Sequence, residues 1–134
     1  MTTLLFTHND CIDHDVGFSH PERPDRLRAA LAALEDEAFA AVEHRVAPRA
    51  ESEQIERVHD ATYVSHILGS VPASGHYSLD PDTALSPGSG EAALRAAGAV
   101  CAAVDVVVGG EARNAFCAVR PPGHHAEQVE TAPL

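Results

Sequence analysis

Basic residues are scarce in this sequence of 134 residues, which has nine Lys and Arg against twenty Asp and Glu and a net charge of −11 at pH 7. A protein that binds nucleic acid directly needs a basic face to neutralise the phosphates. The composition therefore argues against direct binding of nucleic acid. An acidic surface attracts cationic molecules instead, such as polyamines or lysine-rich tails.

Closely spaced cysteines and long apolar runs are missing as well. Cys11, Cys101 and Cys117 lie far apart without C-x-x-C spacing, so neither a disulfide framework nor a thiolate zinc cluster is indicated. The amino-terminal residues lack a basic segment, and the apolar stretch 98–108 is interrupted by Asp105 and falls short of the roughly 20 residues that span a bilayer. We expect free thiols, no membrane partner and a cytoplasmic location.

Apolar residues recur in alternating strand and helix patterns along the chain. Strands are predicted at Thr3–Thr7, 44–47 and 114–119, and helices at 24–39, 53–58, 62–68 and 91–108. The last helix, rich in Ala and Val, is expected to be buried on most faces. Residues 71–90 are rich in Pro, Gly, Ser and Asp and predict a long ordered loop. This order is typical of an α/β fold with a mainly parallel sheet.

Two loops are expected to share one rim of that sheet, because binding sites in open α/β sheets lie beyond the carboxyl ends of the strands. One loop covers residues 8–20 and the other follows Val119. The first loop holds three His and three Asp, namely His8, Asp10, Asp13, His14, Asp15 and His20. A small metal site in this loop is one hypothesis, although the spacing matches no zinc pattern, and a solvated polar loop is the simpler interpretation.

The segment after the last predicted strand carries the strongest chemical signal. Its sequence is Arg120-Pro121-Pro122-Gly123-His124-His125-Ala126. Two prolines fix their φ angles and remove two backbone donors, so the segment must leave the sheet. Gly123 permits a positive φ or a close backbone approach. Because imidazole can accept or donate a proton near pH 7, His124 and His125 are candidate acid–base residues.

This segment resembles the first active-site motif of the zinc-dependent histone deacetylase family, which includes acetylpolyamine amidohydrolases and acetoin-utilisation proteins. Three further segments resemble family motifs in the family's order. They are His20-Pro21-Glu22-Arg23-Pro24-Asp25-Arg26, then Val58-His59-Asp60 with Tyr63-Val64, and then Leu79-Asp80-Pro81-Asp82-Thr83 with Ser86-Pro87-Gly88-Ser89 and Ala92-Ala93-Leu94. The resemblance implies the N-terminal part of an arginase/deacetylase-like fold, an open, mainly parallel sheet flanked by helices.

The resemblance also implies an activity, the hydrolysis of an acetyl-lysine or another acetylated amine with zinc as cofactor. By this resemblance His125 would be the general base and then the general acid, while His124 would stabilise the developing charge. Arg26 would line an internal channel beneath the site, Gly123 would border the substrate, and Asp82 would be a rim carboxylate that accepts hydrogen bonds from the substrate backbone. Asp80 is an alternative to Asp82.

The family's zinc ligands, an Asp-x-His pair and a second Asp, and its catalytic Tyr have no match in this sequence. We therefore expect residues 1–134 to be the incomplete N-terminal portion of a single deacetylase-like domain, with 127–134 as an atypical tail, no metal ligands and little activity alone. Two alternatives stay open: an inactive remnant or partner-dependent fragment, and a small His/Asp-rich metal-binding module. The oligomeric state is also open.

Overall fold

Three parallel strands form the centre of the fold. In a computed structural model, which describes residues 2–17 and 20–129, β1 (Thr3–Thr7) lies between β2 (Glu43–Val46) and β5 (Asn114–Cys117). Leu5 of β1 is in register with a residue of each neighbouring strand. The three central residues of β1 are buried, as expected for a strand covered on both faces. The predicted α/β fold with a mainly parallel sheet is confirmed.

Within the described residues, four helices accompany this sheet. They are α1 (Pro24–Ala33), α2 (Ser52–Glu56), α3 (Ala61–Gly69) and α4 (Ser89–Val108), with short 3₁₀ turns at Asn9–Ile12 and Glu37–Phe39. Side chains alternate across β1, so Leu4 and Phe6 pack in a cluster with α4, whereas Leu5 packs in a second cluster with Leu27 of α1. The sheet is thus covered by α4 on one face and by α1 on the other.

The first helix ends at Ala33, before the predicted end at residue 39. Three acidic residues follow in sequence, Glu35, Asp36 and Glu37, where the helix dipole disfavours negative charge. The Asp36 side chain accepts a hydrogen bond from the backbone N–H of Ala38 at 2.9 Å, an interaction that competes with continued helix. The leucine spacing alone did not reveal this stop.

The predicted loop 71–90 contains an antiparallel hairpin. Its strands are β3 (Tyr77–Asp80) and β4 (Thr83–Leu85), joined by Pro81 and Asp82. The backbone N–H of Asp82 donates to Asp80 Oδ1 at 2.8 Å, which fixes the turn. The strands are too short and polar to give an alternating pattern, whereas the Pro-Asp pair was a usable turn signal.

Most residues of α4 are buried or half-buried, as expected, but one face of the helix is exposed. Val100, Val104 and Val108 are 51%, 54% and 81% exposed. On the opposite face of the sheet, Phe116 of β5 is 55% exposed. Within the described residues β5 is an edge strand, with β1 as its single partner. Apolar surface therefore borders the open side of the sheet on both faces.

Cys11, Cys101 and Cys117 are unpaired, as predicted. Burial raises the pKa of the Cys11 and Cys117 thiols, which favours their protonated form. In the part of the chain that the structure describes, no helix is both long and apolar enough to cross a membrane.

A buried arginine joins the rim loops to the sheet. Arg120, just beyond β5, is completely buried, and its guanidinium donates to both carboxylate oxygens of Glu22 at 3.1 and 2.9 Å. It also donates to the carbonyl oxygens of Cys11, at 2.9 Å, and of His14. Burial alone would raise the pKa of Glu22, but the hydrogen bonds and charge of Arg120, aided by Arg26, outweigh burial and lower it.

A second buried network lies next to this arginine. The Nδ1 atom of His14 lies 2.6 Å from Ser89 Oγ, and both side chains are at most 5% exposed. Ser89 Oγ also accepts the backbone N–H of Ser86, and Ser86 Oγ accepts the backbone N–H of Asp15. Burial, together with the nearby charge of Arg120, lowers the pKa of His14 to about 4.

The free energy of unfolding should fall in mild acid because of His14. Its pKa is about 4 when folded, against an ordinary value of 6.5, so the unfolded chain binds more protons between these two values. The free energy of unfolding, measured with urea, should therefore decrease by about 3 kcal/mol as the pH drops from 7 to 4. Glu22, whose pKa is lowered by its pair with Arg120, loses the stabilisation from that pair as the pH falls through the lowered pKa.

The matched variant for this measurement is His14→Asn, whose amide can replace Nδ1 as partner of Ser89 but does not titrate. We expect most of the decrease between pH 7 and 4 to disappear in this variant. An unchanged pH dependence would show that His14 is not the group responsible.

Gly98 and Gly69 offer a second test of the packing. A Cβ atom at Gly98 of α4 would lie 1.9 Å from the carbonyl oxygen of Pro48 and 2.8 Å from the backbone N of Ala50, whereas a Cβ at Gly69 would meet nothing within 4 Å. We expect Gly98→Ala to reduce the free energy of unfolding by about 2 kcal/mol or more. Gly69→Ala, at the last residue of α3, should be neutral or slightly stabilising; similar effects of the two changes would contradict this packing.

Candidate active site

A cavity of about 340 Å³ opens beside the segment that follows β5. It is bordered by that segment, by the rim loop after β1, by α3 and by the β3–β4 hairpin. His124, His125, Gly123 and Asp82, four of the five site residues expected from the sequence, all line it. The fold thus brings residues from distant parts of the chain to one rim of the sheet, as the position of the loops predicted.

The two adjacent histidines lie on a tight turn. Gly123 has a φ of +77°, a conformation that favours glycine, and its carbonyl accepts the N–H of Ala126 at 3.0 Å. The rings of His124 and His125 have centroids 4.4 Å apart and planes inclined by 58°. Both side chains are exposed. Two imidazoles at this separation can accept and release protons at one substrate held above them.

The cavity wall is acidic. Glu22, Asp80, Asp82 and Glu127 contribute to it, and no Lys or Arg does so among the described residues. Asp80 and Asp82 lie at the β3–β4 turn, so both of the rim carboxylates considered from the sequence reach the cavity. A wall with one sign of charge favours cationic molecules.

Arg26 lies away from the cavity lining. Its Nε donates to Glu22 Oε1 at 3.0 Å, and its guanidinium also lies 3.4 Å from the carbonyl oxygen of Val119. Its side chain is about half exposed. Glu22 thus connects Arg26 to the buried Arg120, and Arg26 contacts the start of the segment that follows β5.

Several residues of this region were not identified as functional from the sequence. His14 and Ser89 line the cavity through their buried network, and Tyr63 of α3 lines it as well. The role of Arg120 was missed, although a usable signal existed. A charged residue placed between an apolar strand and two prolines is hard to expose, and a buried guanidinium needs a carboxylate partner.

The histidines of the 8–20 loop are occupied by hydrogen bonds. His8 Nδ1 accepts the N–H of Asp10 at 2.9 Å, His14 Nδ1 contacts Ser89, and His20 Nδ1 accepts the N–H of Glu22 at 3.1 Å. Over residues 2–17 and 20–129, no three His, Cys, Asp or Glu side chains are grouped so as to hold a metal ion. The described residues therefore do not fit the zinc that the resemblance implies.

Comparison with known proteins gives a consistent result. The profile of the histone deacetylase domain matches residues 20–132. A histone deacetylase-like amidohydrolase of Pseudomonas aeruginosa is 40% identical over 107 residues, which are 79% of this chain and 28% of that protein. A probable deacetylase of Archaeoglobus fulgidus is 33% identical over 130 residues, which are 95% of this chain and 36% of that protein.

The fold comparison agrees. The crystal structure of the HDA15 HD domain matches with a TM-score of 0.89 and 27% identity over 98% of this chain and 38% of that chain. The chain thus spans no more than about two fifths of the length of these relatives. Its four sequence motifs, its sheet and the family profile agree over most of its residues, and the chain belongs to the histone deacetylase domain family.

Proposed function

We propose that this chain provides the acid–base residues and part of the substrate rim of a deacetylase that hydrolyses an acetyl-lysine or another acetylated amine to acetate and an amine. The observation that carries the proposal is the pair of imidazoles 4.4 Å apart at the wall of an acidic cavity. Family membership supports the reaction class.

His125 and His124 divide the proton transfers in this proposal. His125 accepts a proton from the attacking water and later donates one to the leaving amine, so that the amine departs without negative charge. His124 lies beside it and stabilises the charge that develops on the amide. Asp82 accepts hydrogen bonds from the substrate at the rim. Arg26, through Glu22 and the carbonyl of Val119, supports the lower wall of the site.

Zinc is the expected cofactor of this family, in which it activates water and polarises the amide carbonyl. Because the described residues hold no ligand group, we assign no step to zinc here. We propose that residues 1–134 are the N-terminal portion of one deacetylase-like domain and that the chain by itself is inactive. The share of each relative that it spans and the exposed valines of α4 support this.

In this proposal the substrate carries a positive charge near its amide group. The acidic cavity wall and the net charge of −11 both favour an acetylated amine that carries a second ammonium group. We further propose a reducing, cytoplasmic location, which the three unpaired cysteines support.

The absence of activity is the first test. We expect the 134-residue chain, supplied with zinc, to hydrolyse acetyl-lysine peptides and N-acetylated diamines no faster than buffer does, because water activation requires a metal site that the described residues do not form. Acetate release is the measurement. Turnover that a chelator stops, that His125→Ala abolishes and that His44→Ala on β2 leaves intact would contradict the proposed inactivity of the chain alone, while agreeing with the role of His125.

Substrate binding is the second test. Titration with N-acetylputrescine should shift the ring resonances of His124 and His125 in the NMR spectrum, and N-butylacetamide, which lacks the second ammonium group, should bind more weakly. Asp82→Asn should weaken binding of the cation by about 1.4- to fivefold, because an exposed ion pair contributes about 0.2–1 kcal/mol.

Asp105→Asn is the matched control for Asp82→Asn, since it removes the same charge from an exposed position of α4 outside the cavity. Its affinity for N-acetylputrescine should equal that of the unchanged chain. Equal affinities for both variants, or no preference for the cationic amide, would exclude the rim role of Asp82.

A further inference from the structure

The junction between α2 and α3 holds the main chain that follows the two histidines. Three of its residues, His59, Asp60 and Tyr63, make hydrogen bonds to Glu127 and Gln128, and we call these three the α3 anchor. Tyr63 Oη accepts the N–H of Glu127 at 3.0 Å, and His59 Nδ1 lies 2.5 Å from the carbonyl oxygen of Glu127. The N–H of Asp60 donates to the carbonyl of Gln128 at 2.7 Å.

Local sequence builds the anchor. The Asp60 side chain accepts the N–H of Thr62 at 2.8 Å and caps α3. The cap places His59 before the first turn and Tyr63 within it, with ring centroids 5.8 Å apart. The carbonyl of Glu127 can only accept, so His59 Nδ1 carries the proton of that bond. Both backbone polar groups of Glu127 are thereby bound by two side chains of one helix start.

The catalytic turn lies between this anchor and the buried arginine. At one end Arg120 is fixed by Glu22 and two carbonyls, and at the other end Glu127 is fixed by the anchor. Across residues 2–17 and 20–129, the rings of His124 and His125 contact each other but make no hydrogen bond. Their positions therefore depend on how the two ends of the turn are held.

We propose that His59 and Tyr63 are positioning residues, which hold the turn so that the imidazoles of His124 and His125 face one substrate together. This role rests on the proposed function, since it concerns the same two histidines. Neither residue needs to contact the reacting atoms. Tyr63 also lines the cavity, so its hydroxyl joins the cavity wall to the end of the turn.

Tyr63→Phe and His59→Leu test this role, because each removes one hydrogen bond to Glu127 and keeps an apolar side chain. In Tyr63→Phe we expect the Glu127 amide to exchange with solvent roughly fivefold faster, in line with the loss of a hydrogen bond that contributes about 1 kcal/mol. In both variants the nuclear Overhauser effect between the rings of His124 and His125 should weaken by at least about half.

Two further variants separate positioning from general stability. His59→Asn keeps an amide donor near the place of Nδ1 and should restore the ring-to-ring signal that His59→Leu loses. Tyr77→Phe removes the hydroxyl of an exposed tyrosine on β3, which lies outside the cavity wall. It should leave both measurements unchanged.

Two results would overturn the positioning role. One is an unchanged ring-to-ring signal in Tyr63→Phe and His59→Leu. The other is uniformly faster exchange across β1 and α4 in both variants, which would mean that these residues stabilise the whole chain. Failure of N-acetylputrescine to shift the histidines of the unchanged chain would count against the proposed function instead, and the two failures are thus distinguishable.

Discussion

The ion pair between Arg120 and Glu22 is the interaction on which the rest of the site depends. A completely buried guanidinium loses its hydration, and the loss is tolerable only because a bidentate carboxylate and two carbonyl oxygens replace the water. Removing one partner of such a buried pair typically costs about 3–5 kcal/mol. The pair joins the end of β5, the loop after β1 and the residues before α1. It therefore fixes the start of the segment that carries His124 and His125.

The fixed start of this segment explains how two exposed histidines can have a defined arrangement. An exposed loop ordinarily samples several conformations, and each ordered residue costs conformational entropy. Here the conformational freedom of residues 120–127 is limited because both ends of the segment are fixed. Arg120 lies in the core, and the main chain of Glu127 is bound to the start of α3. Between them the positive φ of Gly123 turns the chain sharply. Both imidazoles are thus exposed while their ring centroids lie 4.4 Å apart.

The two sides of the sheet differ in how completely they are covered. Around β1 the sheet is packed by α1 and α4, and the buried polar side chains there include the pair His14 and Ser89. The β5 side carries exposed apolar groups, Phe116 on one face and the valines of α4 on the other. The histidine pair lies on the segment that leaves β5, and the acidic cavity wall is formed by the loops and the hairpin next to that segment.

Local physics was enough to predict the elements and the chemistry of single segments. Strand β1, the helical register of α4 and the turn at Gly123 follow from interactions between near neighbours, which the sequence displays directly. The same holds for the tandem histidines, because their residue types and the preceding prolines define what they can do. The end of α1 and the β3–β4 hairpin were missed, since short polar interactions decided them against the apolar pattern.

Only the tertiary structure decided which distant groups meet. Arg120 pairs with Glu22, 98 positions away in the sequence, and His14 contacts Ser89, 75 positions away. No periodicity encodes such pairings, because they follow from the order of the strands and the packing of helices on both faces. The same long-range packing lowered the pKa of His14, placed Asp82 at the cavity wall and placed Arg26 outside that wall. The sequence by itself thus determined the candidate acid–base residues and the class of fold, whereas burial and contact between remote segments determined the cavity that surrounds them.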